Sequence, residues 1–417
     1  MFQPRSKKRV LIVTQYFWPE EFRVNELVKK LVIAGCDVDV VTGRPNYPDG
    51  FIYKEYVKAP NRFNSYFGST IHRVKNTPRG NNKFSLIINY FSFAILASIF
   101  LLKNMRKNRY DSIIAVQLSP IFSIIPALIY GKYKKVKVTT WIMDLWPDIL
   151  TALNLVSNRY VLRLLTWISS RLYQLSDIIL ISSEGFRNRL KQFGVTENNI
   201  HYFPQWVEDV MVTTDLALTK EFHEVQSLVN EYSDLKKIVF TGNIGECQDI
   251  PSVLQAIETL KHRNDFVLLI VGSGREEEHV KRKIIEYDLN SHVKLLGRYP
   301  VEYMPAFYYF ADALLLPLAK DPLFEITLPG KTQSYLYAGR PIIGMLDGEG
   351  ASVLHQSNSA FVCGSGKPKE LANQIERFCE ASPTELAELG SSAKHYAEQN
   401  FSSERVMNKL FEVCNLR

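Results

Sequence analysis

Short apolar runs alternate with helical stretches along almost the whole chain, in two series, and this alternation restricts the fold more tightly than any other feature. The first series opens with Arg9 to Thr14 (RVLIVT), a loop YFWPEEFR, a helical pattern from Glu26 to Val32, and a second run from Asp37 to Thr42. A strand, a helix and a strand in so short a space form a βαβ unit, which requires a parallel sheet. Further runs at Ser112 to Val116, Val136 to Ile142, Ile178 to Ile181 and Ile200 to Phe203 extend it, with helices expected after Pro120 and from Glu184 to Phe193. The stretch 206–236 lacks strand character and reads as a linker with one helix. A second series follows: IVFTG (Ile238 to Gly242), FVLLIVG (Phe266 to Gly272), VKLLG (Val293 to Gly297), ALLLP (Ala313 to Pro317) and PIIG (Pro341 to Gly344). The expected class is α/β, with two Rossmann-like domains, 1–205 and 237–395, facing across a cleft.

With 417 residues the chain exceeds what one hydrophobic core usually serves, which agrees with two domains. Its net charge of +7 is unevenly spread. Residues 1–205 hold 29 Lys and Arg against 13 Asp and Glu, whereas the remainder holds 21 against 30. A basic half suits an anionic surface, a phospholipid head group or a pyrophosphate-bearing substrate. The basic patches lack the interleaved aromatics of nucleic-acid modules, so no nucleic acid is expected. No GxGxxG follows the first strand, which argues against a dehydrogenase. The five cysteines and eight histidines show no metal-ligand spacing, and Asp37 and Asp39 alternate with valines on one strand face, so neither a metal site nor a cofactor is expected. The opening MFQPRSKKR leaves no room for a signal peptide, and a reduced, cytoplasmic setting is expected.

Phe84 to Leu102 is a nineteen-residue run without a charge, long enough to cross a bilayer. The strands on either side must join the same sheet, which disfavours spanning. Ser85, Asn89 and Ser92 share one helical face, and Lys83, Lys103, Arg106, Lys107 and Arg109 flank the ends. Two readings stay open: an interfacial amphipathic helix on an anionic membrane, and a core helix.

The chemistry concentrates in FEITLPGKTQSYLYAGRP, from Phe324 to Pro341. Pro329 and Gly330 make a turn, Lys331 follows, and a helix is expected from Thr332, an arrangement that offers backbone N–H groups and a cation to an anion. Glu325 and Thr327 precede the turn, and Gln333 and Ser334 follow it. Gly242, Asn243, Ile244 and Gly245 follow a strand, as do Gly272, Ser273 and Gly274, so that their amides could approach a phosphate; packing glycines are the alternative for the first group and a helix start signal for the second. Asp144 ends a strand in MDLWPD. It reads equally as a general base or as a helix cap, with Asp148 the better cap. The loop GRPNYPDG adds Arg44, Asn46 and Tyr47 at a strand's carboxyl end, where parallel sheets bind ligands.

Taken together, QYFWPEEFRVNEL, TGRPNYPDG, NYFSFA, DLWPD, FPQW, FTGNIGE and LPGKTQSYLYAGRPII followed by GEGA make the chain resemble bacterial family 4 glycosyltransferases of the GT-B fold. The likeness is to the WbuB-like branch associated with N-acetyl-L-fucosamine transfer in O-antigen or capsule synthesis. It implies an amino-terminal acceptor domain at the cytoplasmic face of the inner membrane and a carboxyl-terminal domain for a UDP-sugar donor. It also implies metal-independent transfer with retention, an undecaprenyl-diphosphate-linked acceptor, and a last helix, in 396–417, that crosses back to the first domain. Phe401 to Leu416 has the pattern for that helix. On this reading Asp144, Glu325 and Lys331 are catalytic. Gly242, Asn243, Gly274, Thr327, Pro329, Gly330, Gln333 and Ser334 bind the donor, and Arg23, Asn25 and Asn46 lie on the acceptor side.

Three departures from the family pattern stand out. Ser334 occupies the position of the second of two glutamates spaced eight apart, with Ile326 at the first and Glu325 one out of register. Asn243 and Gln248 stand where many members carry Arg and Lys, and Met143 where many have histidine. Lys331 would then carry more of the diphosphate. A non-hydrolysing UDP-sugar 2-epimerase and an inactive, membrane-associated scaffold of polysaccharide assembly are the alternative functions.

Overall fold

The computed structural model describes residues 7–80, 83–212 and 215–416, without the side chains of Lys83 and Phe84. The extreme amino terminus, in which no leader was expected, lies outside the described residues. The chain forms two compact units, one running through Pro204 and taking up Val406 onward again, the other from Gln205 to Arg405.

The first unit is built on an eight-stranded sheet of β1 (Arg9–Val13), β2 (Asp37–Thr42), β3 (Ser65–Tyr66), β4 (Ser69–Arg73), β5 (Ser112–Gln117), β6 (Val138–Ile142), β7 (Ile178–Ile181) and β8 (Ile200–Tyr202). Their order is β3-β4-β2-β1-β5-β6-β7-β8. All neighbours run parallel except β3 and β4. Val10, Leu11, Ile12 and Val13 are fully buried, as a strand covered on both faces requires. Order reverses at β1, whose partners β2 and β5 lie on either side, so the loops after β1, β2 and β5 surround the topological switch point. The β3–β4 hairpin, which the sequence reading did not include, turns at Phe67 and Gly68 with φ of 48° and 91°.

The second unit has a six-stranded parallel sheet of β9 (Lys236–Thr241), β10 (Phe266–Val271), β11 (Val293–Gly297), β12 (Ala313–Pro317), β13 (Ile342–Met345) and β14 (Ala360–Cys363), in the order β11-β10-β9-β12-β13-β14. Its switch point lies between β9 and β12. The sequence reading did not include β14, whose four residues are too few to stand out.

One expectation about the connections needs correction. The stretch 206–236 is no linker, because helix Lys220–Val229 buries Phe222, Val225 and Val229 against Ala306 and Phe307 in the second unit's core. The last helix, Ser403–Val413, falls within the expected Phe401 to Leu416 and is set off from Pro383–Phe401 by the extended Ser402. It buries Val406, Met407, Leu410 and Phe411, and Cys414 Sγ lies 3.4 Å from Thr139 Oγ1 of β6, within the first unit.

Helix Lys83–Asn104 connects β4 to β5, two strands of one sheet. One face, with Phe93, Ala97 and Leu101, is fully buried. Its polar residues turn inward too: Asn89 donates to Thr77 O at 2.6 Å and accepts from Gln15 Nε2 at 2.6 Å, and Ser92 Oγ accepts from Thr77 N at 3.0 Å. The outer face exposes Ile87, Ile88, Phe91, Ile95 and Ile99. Neither sequence reading is complete, since the helix is core on one face and apolar on the other.

Candidate functional site

In the second unit the chemistry gathers at the carboxyl end of β9. Tyr335, fully buried in helix Thr332–Tyr337, accepts a hydrogen bond from Thr241 N at 2.9 Å and so fixes that helix to the end of β9. One turn earlier, Lys331 places its Nζ 4.1 Å from the centre of the Phe240 ring and donates to Gln248 Oε1 at 3.0 Å. Burial of this ammonium against an aromatic face, with an amide as hydrogen-bond partner, lowers its pKa to about 7. An incoming anion would favour the charged form and raise this pKa again.

Gly242 and Gly274 have different reasons for being glycine. Gly242 has φ +132°, and a Cβ there would sit 3.1 Å from Lys331 Nζ, so its missing side chain leaves the room that the ammonium occupies. At Gly274 a Cβ would fall 2.1 Å from Ile244 O, which makes it a packing glycine. The amides of Gly242 and Ile244 donate to Val271 O and Ser273 O, at 2.9 and 3.0 Å. They are committed to joining the two loops, contrary to the expectation that they face a phosphate. Helix Thr332–Tyr337 has only six residues, so its dipole adds little to the lysine's charge.

Around Lys331, Thr332 and Gln333 are buried, and neither Thr332 Oγ1 nor Gln333 Oε1 has a hydrogen-bond partner among the described residues. Ser334 is buried as well, with its Oγ 3.4 Å from Glu208 Oε2, a long contact. A carboxylate thus stands beside Ser334, supplied from 126 residues away. Of the residues before the turn, Thr327 closes its own helix by donating to Leu323 O at 2.7 Å. Glu325 is exposed, Pro329 buried, and Gly330 exposed at the turn. Asn243 lies in the β9 loop, where its side chain crowds the Cβ position of Gly245 at 2.6 Å.

In the first unit, Asp144 follows β6. Its carboxylate accepts from Ser119 N at 3.1 Å and Ser119 Oγ at 2.9 Å, and Trp146 Nε1 donates to the same Oγ at 3.0 Å. Burial raises the Asp144 pKa against these two bonds, which lower it. The cap reading fails for both aspartates: helix Asp148–Ala152 has Pro147 as its N-cap without a side-chain bond, and Asp148 instead pairs with Arg189 at 2.9 Å.

The acceptor-side candidates make local hydrogen bonds and ion pairs. Asn25 accepts from Trp18 N at 3.0 Å and donates to Glu20 O at 2.7 Å. Asn46 donates to Arg44 O at 2.7 Å and accepts from Arg79 N at 2.8 Å, and Arg23 pairs with Glu26 at 3.3 Å. The residue that organises these loops, Glu20, was missed. It is 1% exposed and accepts from Phe17 N (3.1 Å), Asn46 N (2.7 Å) and Tyr47 N (2.8 Å), joining the loops after β1 and β2. Burial outweighs the three N–H groups and lifts its pKa to about 7. Tyr16, Phe22 and Tyr47 cluster beside it with ring centres 5.1 to 5.6 Å apart. Among the described residues no group of three or more His, Cys, Asp or Glu is placed to hold a metal.

Comparison with known proteins fits this geometry. Residues 21–209 match the family described as Glycosyltransferase Family 4, and residues 235–381 match Glycosyl transferases group 1. WcaI of Escherichia coli strain K12, named as a colanic acid biosynthesis glycosyl transferase, is 24% identical over 395 residues, covering 92% of this chain and 93% of its own. WbjE of Pseudomonas aeruginosa, named as a glycosyltransferase, is 21% identical over 280 residues, 66% of this chain and 67% of its own. Among solved structures, a glycosyltransferase from Rickettsia africae aligns with a TM-score of 0.69 at 17% identity over 98% of each chain. Anabaena HepE, solved with UDP and glucose, aligns with a TM-score of 0.70 at 14% identity over 98% of this chain and 99% of its own. The fold is therefore GT-B, with two Rossmann-like domains, and the chain belongs to the group 1, family 4 glycosyltransferases.

Proposed function

We propose that the protein transfers a sugar from a UDP-sugar to a lipid-linked acceptor in the synthesis of a cell-surface polysaccharide, with retention and without a metal. The observation that carries this reading is Lys331, a partly buried side chain whose ammonium sits on the ring of Phe240 in the space left by Gly242. It would meet the diphosphate and stabilise the charge that develops on the departing UDP. The orphaned Thr332 Oγ1 and Gln333 Oε1 offer further polar contacts to the donor, beside the turn at Pro329 and Gly330. Ser334 and Glu208 together would take the role that a single carboxylate plays in relatives, holding donor hydroxyls, and Asn243, Glu325 and Thr327 border the same loops. In the first unit, Asp144 is the candidate base, with Arg23, Asn25 and Asn46 shaping the acceptor loops and the Tyr16, Phe22 and Tyr47 rings offering a face to a sugar.

UDP as the donor nucleotide is supported by the likeness to HepE, solved with UDP and glucose, and polysaccharide synthesis by the likeness to WcaI. N-acetyl-L-fucosamine is the first donor sugar to test, on the resemblance to the WbuB-like branch. The outward isoleucine face of helix Lys83–Asn104, flanked by Lys103 and Arg106, supports residence on the cytoplasmic face of the inner membrane, where an undecaprenyl-diphosphate-linked acceptor would be met. The experiment is a panel of UDP-sugars assayed for UDP release with and without such an acceptor. Acceptor-dependent release is expected. Isomerisation of the sugar without an acceptor would establish a 2-epimerase instead, and absence of UDP binding would leave only a scaffold.

A further inference from the structure

A second helix of the first unit is exposed on an apolar face, and the sequence reading passed over it. Helix Arg159–Gln174 (RYVLRLLTWISSRLYQ) buries only Ser169 and Tyr173 among its sixteen residues. Tyr160, Leu164 and Trp167, spaced at four and three positions, make an outward stripe, with Trp167 59% and Leu164 56% exposed. Val161 borders the stripe and Leu175 extends the exposed apolar surface just past the helix end. A soluble protein rarely leaves so large an apolar surface open unless something covers it.

The charges around the stripe say what covers it. Arg159, Arg163 and Arg171 are exposed along the helix. Between Glu55 and Asp177 the chain carries only three acidic residues, Asp111, Asp144 and Asp148. All three are engaged: Asp111 with Arg9 N, Asp144 with Ser119 and Asp148 with Arg189. The turn Ile121–Ile124 packs against both this helix and Lys83–Asn104, so the two helices meet at one turn within the same unit. An aromatic and aliphatic stripe with three exposed arginines along the same helix, in an acid-poor stretch of chain, matches the interface of an anionic bilayer, with Trp and Tyr at head-group level.

We propose that the exposed face of helix Arg159–Gln174 is a second membrane-docking element, seating Tyr160, Leu164 and Trp167 in the interface of an anionic bilayer beside helix Lys83–Asn104. This rests on the membrane reading given above. Docking on two helices fixes the orientation of the unit on the surface, which one helix would leave free to roll. The buried Tyr173 of the same helix, whose hydroxyl accepts from Trp146 N at 3.1 Å, ties the helix to the loop that carries Asp144.

The test is co-sedimentation of the full chain with phosphatidylcholine vesicles with and without phosphatidylglycerol, for the wild type, L164S/W167S and I95S/I99S. Circular dichroism and UDP binding serve as fold controls. Binding that requires phosphatidylglycerol is expected, weakened about tenfold or more in each double variant. Trp167 also reports directly: its emission should shift to the blue and be quenched by brominated lipid, a signal that W167F should largely lose, since Trp141, Trp146 and Trp206 are buried and Trp18 is half-buried. Wild-type binding shared equally by L164S/W167S and lost only in I95S/I99S would overturn this proposal and leave the membrane reading standing. No vesicle binding by the wild type would defeat both. A wild-type dimer that L164S/W167S converts to a monomer, without lipid binding, would put a second copy on this face and overturn the proposal.

Discussion

At the scale of single residues, burial changes two ionisable groups in opposite directions, lowering the pKa of Lys331 and raising that of Glu20. Lys331, with its pKa lowered to about 7, is only partly charged in the empty protein at neutral pH. A bound diphosphate would raise that pKa again, so binding takes up a proton whenever the solution lies above about pH 7. Gly242→Ala tests the space beside it. With φ at +132° and the new Cβ 3.1 Å from Nζ, the substitution strains the backbone and displaces the ammonium, and we expect UDP affinity to fall at least about tenfold in calorimetry. Glu208→Ala should raise the KM for the UDP-sugar by about tenfold with little change in kcat, since a hydroxyl-holding carboxylate acts equally on ground and transition states. Lys331 and its turn were legible because Pro, Gly and Lys before a helix are letters in the sequence. Glu208 was not, because its meeting with Ser334 spans 126 positions and depends on how 205–235 fold.

At the scale of elements, Glu20 joins the loops that follow β1 and β2. Its folded pKa of about 7 lies above the ordinary 4.5, so its contribution to stability is full below about pH 4.5 and is lost as pH rises through 7. The span is worth about 3 kcal/mol. Urea unfolding of the wild type between pH 5 and pH 8 should show this decline, and Glu20→Gln should flatten it. An unchanged slope in the variant would remove Glu20 from the explanation. The strands were readable because buried parallel strands are continuous runs of Val, Ile and Leu. The hairpin of β3 and β4 escaped notice because SYFGSTIHR sits at a sheet edge and mixes polar with apolar residues. Glu20 escaped for a deeper reason: its partners are backbone N–H groups, which every residue except proline carries and which leave no mark in a sequence. Helix Lys83–Asn104 was recognised by length and composition, but only the structure shows that Asn89 and Ser92 face inward and the isoleucines outward.

At the scale of the whole molecule, the fold follows from the double alternation of strand and helix, and each sheet gathers its candidate residues at its own switch point. The chain's end belongs to the first unit, where helix Ser403–Val413 buries Val406, Met407, Leu410 and Phe411. Ending the chain after Phe401 should therefore destabilise the first unit by about 6 kcal/mol or more, at roughly 1.5 to 3 kcal/mol per buried side chain. Scanning calorimetry should then show one transition moved down and the other in place. The central claim, that a partly buried lysine in the second unit receives the donor diphosphate, is tested most directly by UDP-binding calorimetry across pH for the wild type and Lys331→Met. Wild-type affinity is expected to hold below about pH 7 and then fall by about tenfold per unit, with proton uptake, while Lys331→Met binds weakly and without pH dependence. Equal UDP affinity and the same pH profile in both proteins would contradict it.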